Sequence, residues 1–83
     1  YMSDKLARKV FVEVNADFLP DGRIIPRSFL WENGMRYEID RVLDIRPAAS
    51  LKAGGQGLRY TCRISSKQAY MYLENGKWFM EGK

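Results

Sequence analysis

Short runs of alternating apolar and polar residues recur along the chain and predict β-strands. In KVFVEVNADF the three valines, Val10, Val12 and Val14, occupy every second position. This period of two is typical of a strand that lays one side against a hydrophobic core. The segment LRYTCRIS shows the same alternation, so we expect Cys62 to point into the core.

Turn signals separate these runs. PDG at 20–22 combines a proline, which presets φ, with a glycine, which accepts positive φ. Asn-Gly occurs at 33–34 and again at 75–76, and this dipeptide favours a two-residue hairpin turn. No helical pattern of any length is present, so five or six short antiparallel strands are expected. The sequence therefore predicts an all-β domain, a small partly open SH3-like barrel, with an OB-like barrel as the alternative.

The two Asn-Gly turns also predict which side chains share a face, because the length of a turn sets the register of its hairpin. A two-residue turn at the later Asn-Gly pairs Tyr72 with Phe79, and Tyr70 lies on the same side. The same kind of turn at the earlier Asn-Gly places Trp31 on the more polar side of its hairpin, opposite Arg36. Large aromatic side chains are thus expected on both faces of the sheet.

Three segments interrupt the alternation. Pro26 donates no ladder hydrogen bond, so it indicates either a sheet edge or, as we prefer, a break before a strand that starts at Arg27. Arg41 and Val42 are out of phase, which predicts a bulge or sharp bend near Asp40 to Val42, in a strand that crosses between two sheets. The glycine-containing segment 47–57 has no apolar period and is predicted to be a mobile loop.

Charged residues on the strands beside that loop favour one register. It pairs Asp44 with Arg59 and Asp40 with Arg63, and it matches apolar residues on the opposite face. Opposite charges across two strands stabilise a register by about 0.2–1 kcal/mol per pair. We therefore predict that both arginines are largely neutralised.

Composition narrows the class of protein. The chain has 83 residues, one cysteine and no histidine, which predicts a single domain at 9–83 after a flexible N-terminus at 1–8. Without histidine the usual zinc sites and histidine-activated nucleophiles cannot form, so we expect no metal, no cofactor and no enzymatic activity. The absence of a signal peptide or a long apolar segment predicts a cytoplasmic protein without a membrane partner.

Aromatic and basic residues on the predicted hairpins provide the candidate site. The net charge of +4 mildly favours a polyanionic partner, and aromatic rings flanked by cations are typical of surfaces that bind single-stranded nucleic acid. We hypothesise binding of single-stranded nucleic acid, or of a nucleic-acid-processing protein, through Arg27, Trp31, Arg36, Lys67, Tyr70, Tyr72, Lys77 and Phe79. Alternatively, these aromatic residues cover a second side of the core or form a homodimer contact, in a protein-interaction or homo-oligomerisation domain.

Four short motifs resemble a known type of domain. They are P-x-x-F-x-W from Pro26 to Trp31, Y-x-I-x-x-V-L-D from Tyr37 to Asp44, R-Y-x-C-R from Arg59 to Arg63, and L-x-x-x-x-W-F from Leu73 to Phe79. Together they are similar to a small uncharacterised bacterial β-barrel domain, which occurs alone and, in some proteins, beside polymerases of the DNA-damage-tolerance type. The resemblance implies a small barrel without known activity in a nucleic-acid-processing context, and it assigns no site residue.

Overall fold

The computed structural model describes residues 8–47 and 57–82, and these form two antiparallel sheets. The strands are β1 (Arg8–Phe11), β2 (Glu13–Phe18), β3 (Ile24–Leu30), β4 (Arg36–Glu38), β5 (Arg41–Pro47), β6 (Leu58–Ile64), β7 (Lys67–Glu74) and β8 (Lys77–Gly82). One sheet has the order β1-β8-β7-β6-β5, and the other has the order β2-β3-β4. The all-β prediction is confirmed. The predictions for most of the N-terminus and of the loop, at 1–7 and 48–56, lie outside the described residues.

Two stretches of chain pass from one sheet to the other and join them into a partly open barrel. β1 and β2 are separated only by Val12, whose N–H donates to the Trp78 carbonyl at 3.1 Å. β4 and β5 are separated by Ile39 and Asp40, and the Asp40 N–H donates to the Arg63 carbonyl at 2.8 Å. Counted as bent strands, these two stretches and the other four make six, each beside the next along the chain. That order is a meander, which favours the first prediction over the Greek-key OB barrel.

The core lies between the two sheets. Tyr60 is almost fully buried, and its hydroxyl donates to the Ile24 carbonyl at 2.6 Å, which ties the five-stranded sheet to the three-stranded one. Burial raises the pKa of Tyr60 above its ordinary value, and nearby Cys62 adds to the increase. The buried residues of this cluster are Phe29, Tyr60, Cys62, Met71 and Met80. The prediction that Cys62 points inward is confirmed.

Thiol chemistry tests this placement of Cys62. The side chain has no exposed surface, and burial raises the pKa of the thiol to about 11. Because the thiolate is the reactive form, we expect no reaction with a thiol reagent at pH 8 in the folded protein and full reaction in guanidinium chloride. Fast labelling without denaturant would contradict the burial.

The later Asn-Gly forms the turn that the sequence predicts. Asn75 and Gly76 have φ of 53° and 77°, the two positive values of a type I′ turn. The strands on either side pair in the expected register, with Tyr72 opposite Phe79.

The earlier Asn-Gly forms a longer turn, so its predicted register is wrong. The Trp31 N–H donates to the Met35 carbonyl at 2.9 Å, which leaves three residues in the loop, and only Gly34 has positive φ, at 85°. Asn33 instead uses its side-chain Oδ1 to accept a hydrogen bond from the Met35 N–H at 2.9 Å. A type I turn followed by a left-handed glycine is the usual three-residue hairpin loop.

This extra residue reassigns the aromatic side chains of β3 and β4. Phe29 pairs with Tyr37, with ring centroids 5.6 Å apart, and the Trp31 ring lies edge-on to Phe29 at 6.5 Å. All three pack on the core, whereas the sequence prediction put Trp31 on the more polar side. The aromatic residues of this hairpin therefore face inward.

Pro26 lies inside β3, so the predicted strand break before Arg27 is wrong. The register passes from Ala16–Pro26 to Asn15–Ser28, which leaves Arg27 as an extra residue on β3. A bulge is one of the few places where a sheet accepts proline, because the ladder is already interrupted there.

Candidate functional site

The structure corrects two of the predicted binding residues, Tyr72 and Phe79. Both project from the outer face of the five-stranded sheet, yet they are only 6% and 1% exposed. Their rings stack on each other at 5.1 Å, and Phe11 meets Phe79 edge-on at 5.8 Å. The Lys9 ammonium lies 4.5 Å above the Phe79 ring. These contacts make Tyr72 and Phe79 a second small core, so they cannot stack on a ligand.

The surroundings of Tyr72 are charged as well as buried. Burial raises the pKa of Tyr72, and the Glu81 carboxylate raises it further. Lys9 also lies 3.8 Å from Oε1 of Glu74, whose side chain is buried.

Two of the predicted cations have polar partners, and a third lies elsewhere on the barrel. Nε of Arg27 is 2.7 Å from Oδ2 of Asp17, and Nη1 of Arg36 donates to Oγ of Ser28 at 3.3 Å. Lys77 lies directly across the β7–β8 hairpin from Glu74. The eight predicted residues therefore do not form one surface.

Two predicted residues, Trp31 and Lys67, do come together. They line an apolar cleft of about 400 Å³ between the three-stranded sheet and the β6–β7 hairpin. One wall is aromatic, and the opposite wall combines apolar and polar side chains. The lining residues are Phe29, Trp31, Tyr37, Ile64, Ser65, Lys67, Gln68, Ala69 and Met80.

A bulge in β5 sets the register between β5 and β6. The charge pairs that the sequence predicted between these two strands are therefore wrong. The β5–β6 register passes from Val42–Cys62 to Asp44–Thr61, so Leu43 is the extra residue and is exposed. The bulge therefore lies just after the predicted position. Oδ2 of Asp40 accepts a hydrogen bond from the Ser65 N–H at 3.1 Å. Arg63, the predicted partner of Asp40, lies opposite Arg41 instead.

The observed register brings arginines together on the outer face of β5 and β6. Arg41 lies opposite Arg63, and Arg46 lies opposite Arg59. Asp44 neutralises one of them, since its Oδ2 is 2.7 Å from Nε of Arg46. That hydrogen bond raises the pKa of Arg46 above its ordinary value. We call this region the basic face: Arg41, Asp44, Arg46, Arg59, Arg63 and the adjoining Tyr70.

Tyr70 is the one predicted aromatic residue that is exposed on the basic face. Its side chain is 43% accessible, and it lies on β7 directly opposite Thr61. The Arg59 guanidinium carbon is 4.8 Å from the centroid of its ring. Nε of Arg59 is shielded from solvent and has no hydrogen-bond partner among the described residues, which costs free energy. The basic face therefore combines arginines that lie opposite one another with an aromatic ring that is partly exposed.

Sequence reasoning missed the four arginines of the basic face as site residues. The phase change at Arg41 and Val42 was the available signal, because it places Arg41 outward and Val42 inward, as observed. Nothing in the local pattern marks Leu43 as the extra residue, and that residue decides which charges meet.

Gly57, directly before β6, allows the chain to lie close to β7 beside the basic face. A Cβ at this position would touch Cγ of Glu74 and would lie 2.8 Å from the Leu73 carbonyl oxygen, which is backbone. We expect Gly57→Ala to lower the free energy of unfolding by about 1–3 kcal/mol, as overpacking usually does. Urea denaturation measures this effect, and an unchanged midpoint would show that the strands can separate at no cost.

Within 8–47 and 57–82, no group of three or more histidine, cysteine, aspartate or glutamate side chains is placed to hold a metal ion. The same ranges contain no helix long and apolar enough to cross a membrane. No protein-family model, curated protein or solved structure matches the chain.

Proposed function

We propose that this domain is a non-catalytic module that binds single-stranded nucleic acid through the basic face. The observation that carries the proposal is the pairing of arginine with arginine, at Arg41–Arg63 and Arg46–Arg59, around the exposed ring of Tyr70. A nucleic-acid context is also what the resemblance to the domain beside damage-tolerance polymerases implies.

Like charges directly across two strands destabilise a sheet. Among the described residues, Asp44 is the only acidic residue that forms an ion pair with one of the four arginines. A phosphate backbone would offset the remaining repulsion and release its own counterions, which is the main source of affinity for nucleic acids. Binding of an anion would therefore recover the free energy that the like charges cost the folded protein.

The ring of Tyr70 favours a single strand over a duplex. Unpaired bases can stack on an exposed aromatic residue, and each stacked base contributes about 1–3 kcal/mol. Paired bases in a duplex present no free face to such a ring. The Arg59 guanidinium lies over one face of this ring, so a base would stack on the other face, and it supplies a cation for the neighbouring phosphate.

Fluorescence anisotropy with a short labelled oligothymidylate tests the proposal. Contact with three or four phosphates predicts that the dissociation constant rises about 20- to 50-fold between 50 and 200 mM salt. A duplex of equal length should bind more weakly. Absent or salt-independent binding would overturn the proposal.

Matched variants locate the site. Tyr70→Ala should weaken binding about tenfold, whereas Phe18→Ala should leave it unchanged, because Phe18 is 78% exposed but lies at the end of the β2–β3 hairpin. Equal effects of the two variants would argue against the basic face. Light scattering on the same samples addresses the alternative, since a stable dimer without oligonucleotide binding would favour a homo-oligomerisation domain.

A further inference from the structure

We infer that the cleft between Trp31 and Lys67 receives one nucleobase of the strand that lies on the basic face. This inference rests on the proposed function and adds a second binding position to it. The cleft and the basic face occupy two sides of the same β6–β7 hairpin. One bound strand can therefore contact both.

Gln68 connects the two regions. It lies directly opposite Arg63 of the basic face, and it also lines the cleft. Its neighbour Lys67 is exposed at the cleft and carries a positive charge. A strand that follows the arginines toward the hairpin turn thus meets a further cation at the mouth of an apolar cleft, which complements a phosphate followed by a base.

The cleft has the chemistry that a base requires. Trp31 is half-buried and lies edge-on to Phe29, which stacks on Tyr37, and all three rings line the cleft. Ser65 and Gln68 add polar side chains opposite this aromatic wall. Ligand sites commonly combine apolar walls with a few polar groups in this way, within cavities of about 300–1,000 Å³.

The turn that forms the polar wall is strained. Ser65 and Ser66 have φ of 51° and 68°, a left-handed region that is unfavourable for residues with a side chain. Asp40 helps to hold the turn by accepting the Ser65 N–H. Asn-Gly would fit the same turn at lower cost, and the protein uses it at 75–76. Strain of this kind is concentrated at binding sites, and here it orients the Ser65 wall of the cleft.

Oligothymidylate and a fully abasic oligomer of the same length separate the cleft from the basic face. Both carry the phosphates, but only the first has bases. We expect Trp31→Leu to weaken oligothymidylate binding about five- to tenfold and to leave abasic binding unchanged. Oligothymidylate should also quench tryptophan fluorescence, and the variant should lose this signal, because the remaining Trp78 packs against Tyr60 at 5.1 Å.

Each result decides between the two claims. If the Trp31→Leu variant binds both oligomers with wild-type affinity, or loses the same factor of affinity for both, the cleft does not hold a base, while the basic face retains its ligand. If the wild type binds neither oligomer, the proposed function fails and the inference fails with it. Should Trp31→Leu not fold by circular dichroism, Gln68→Ala replaces it, since Gln68 is exposed, and the same selective loss is required.

Discussion

Replacing Phe79 with alanine is expected to lower the free energy of unfolding by about 3–5 kcal/mol, the usual cost of removing a buried phenylalanine. Phe79 is 1% exposed and stacks on Tyr72 on the outer face of the sheet. A domain of this length has only about 4–12 kcal/mol of stability in total. The melting temperature should therefore fall by about 12–40 °C.

Phe11→Ala provides the control for this prediction. Phe11 lies directly opposite Phe79 on the neighbouring strand and touches its ring, but it is 59% exposed. Less surface is lost from contact there, so we expect a cost of about 1 kcal/mol. Thermal unfolding followed by circular dichroism measures both variants. Similar melting temperatures would mean that the outer aromatic cluster is not a second core.

The contrast between the two Asn-Gly turns shows what the local sequence determines. The sequence predicts a two-residue turn at both dipeptides, and both do form hairpins. Asn75 adopts positive φ, whereas Asn33 uses its side chain to cap the Met35 N–H and keeps the loop one residue longer. Asparagine favours either arrangement. The longer loop goes together with the packing of Phe29 and Trp31 on the core. The local sequence pattern does not predict this packing.

The bulges limited the prediction of the site more than any other feature. Alternation correctly identified the inward positions of β6, including Cys62, and the crossing between sheets near Asp40. It did not reveal that Arg27 and Leu43 are extra residues. One extra residue changes the partner of every residue beyond it. Charges that pair favourably in the predicted register therefore meet their like in the structure.

This dependence explains how a modest net charge yields a basic face. The chain has 10 acidic residues against 14 basic ones, but several acidic residues pair elsewhere. Asp17 holds Arg27, and Asp21 accepts hydrogen bonds from the Arg23 backbone and side chain, which lower the pKa of its carboxyl. Arginines accumulate where β5 and β6 meet because the bulge removes Asp44 from its predicted partner.

Arg63→Glu is expected to have opposite effects on binding and on stability. The variant replaces the cation that joins the basic face to the cleft, so the affinity for oligothymidylate at 50 mM salt should fall at least tenfold, at about 1.4 kcal/mol per factor of ten. The salt dependence should also weaken, because each lost phosphate contact removes about 0.7 from the slope for a single strand. Anisotropy titrations at several salt concentrations measure both quantities.

The same substitution should make the fold more stable. The introduced carboxylate would face Arg41 across the strands. Removing the like-charge pair and forming an opposite-charge pair should each stabilise the fold by about 0.2–1 kcal/mol. Urea denaturation should show a higher midpoint with an unchanged slope. Arg23→Glu makes the same change in net charge at the β2–β3 turn, beside Asp21, and should neither stabilise the protein nor abolish binding. Loss of stability in Arg63→Glu together with intact binding would show that Arg63 serves the fold, and that the arginine pairs are not kept for an anionic ligand.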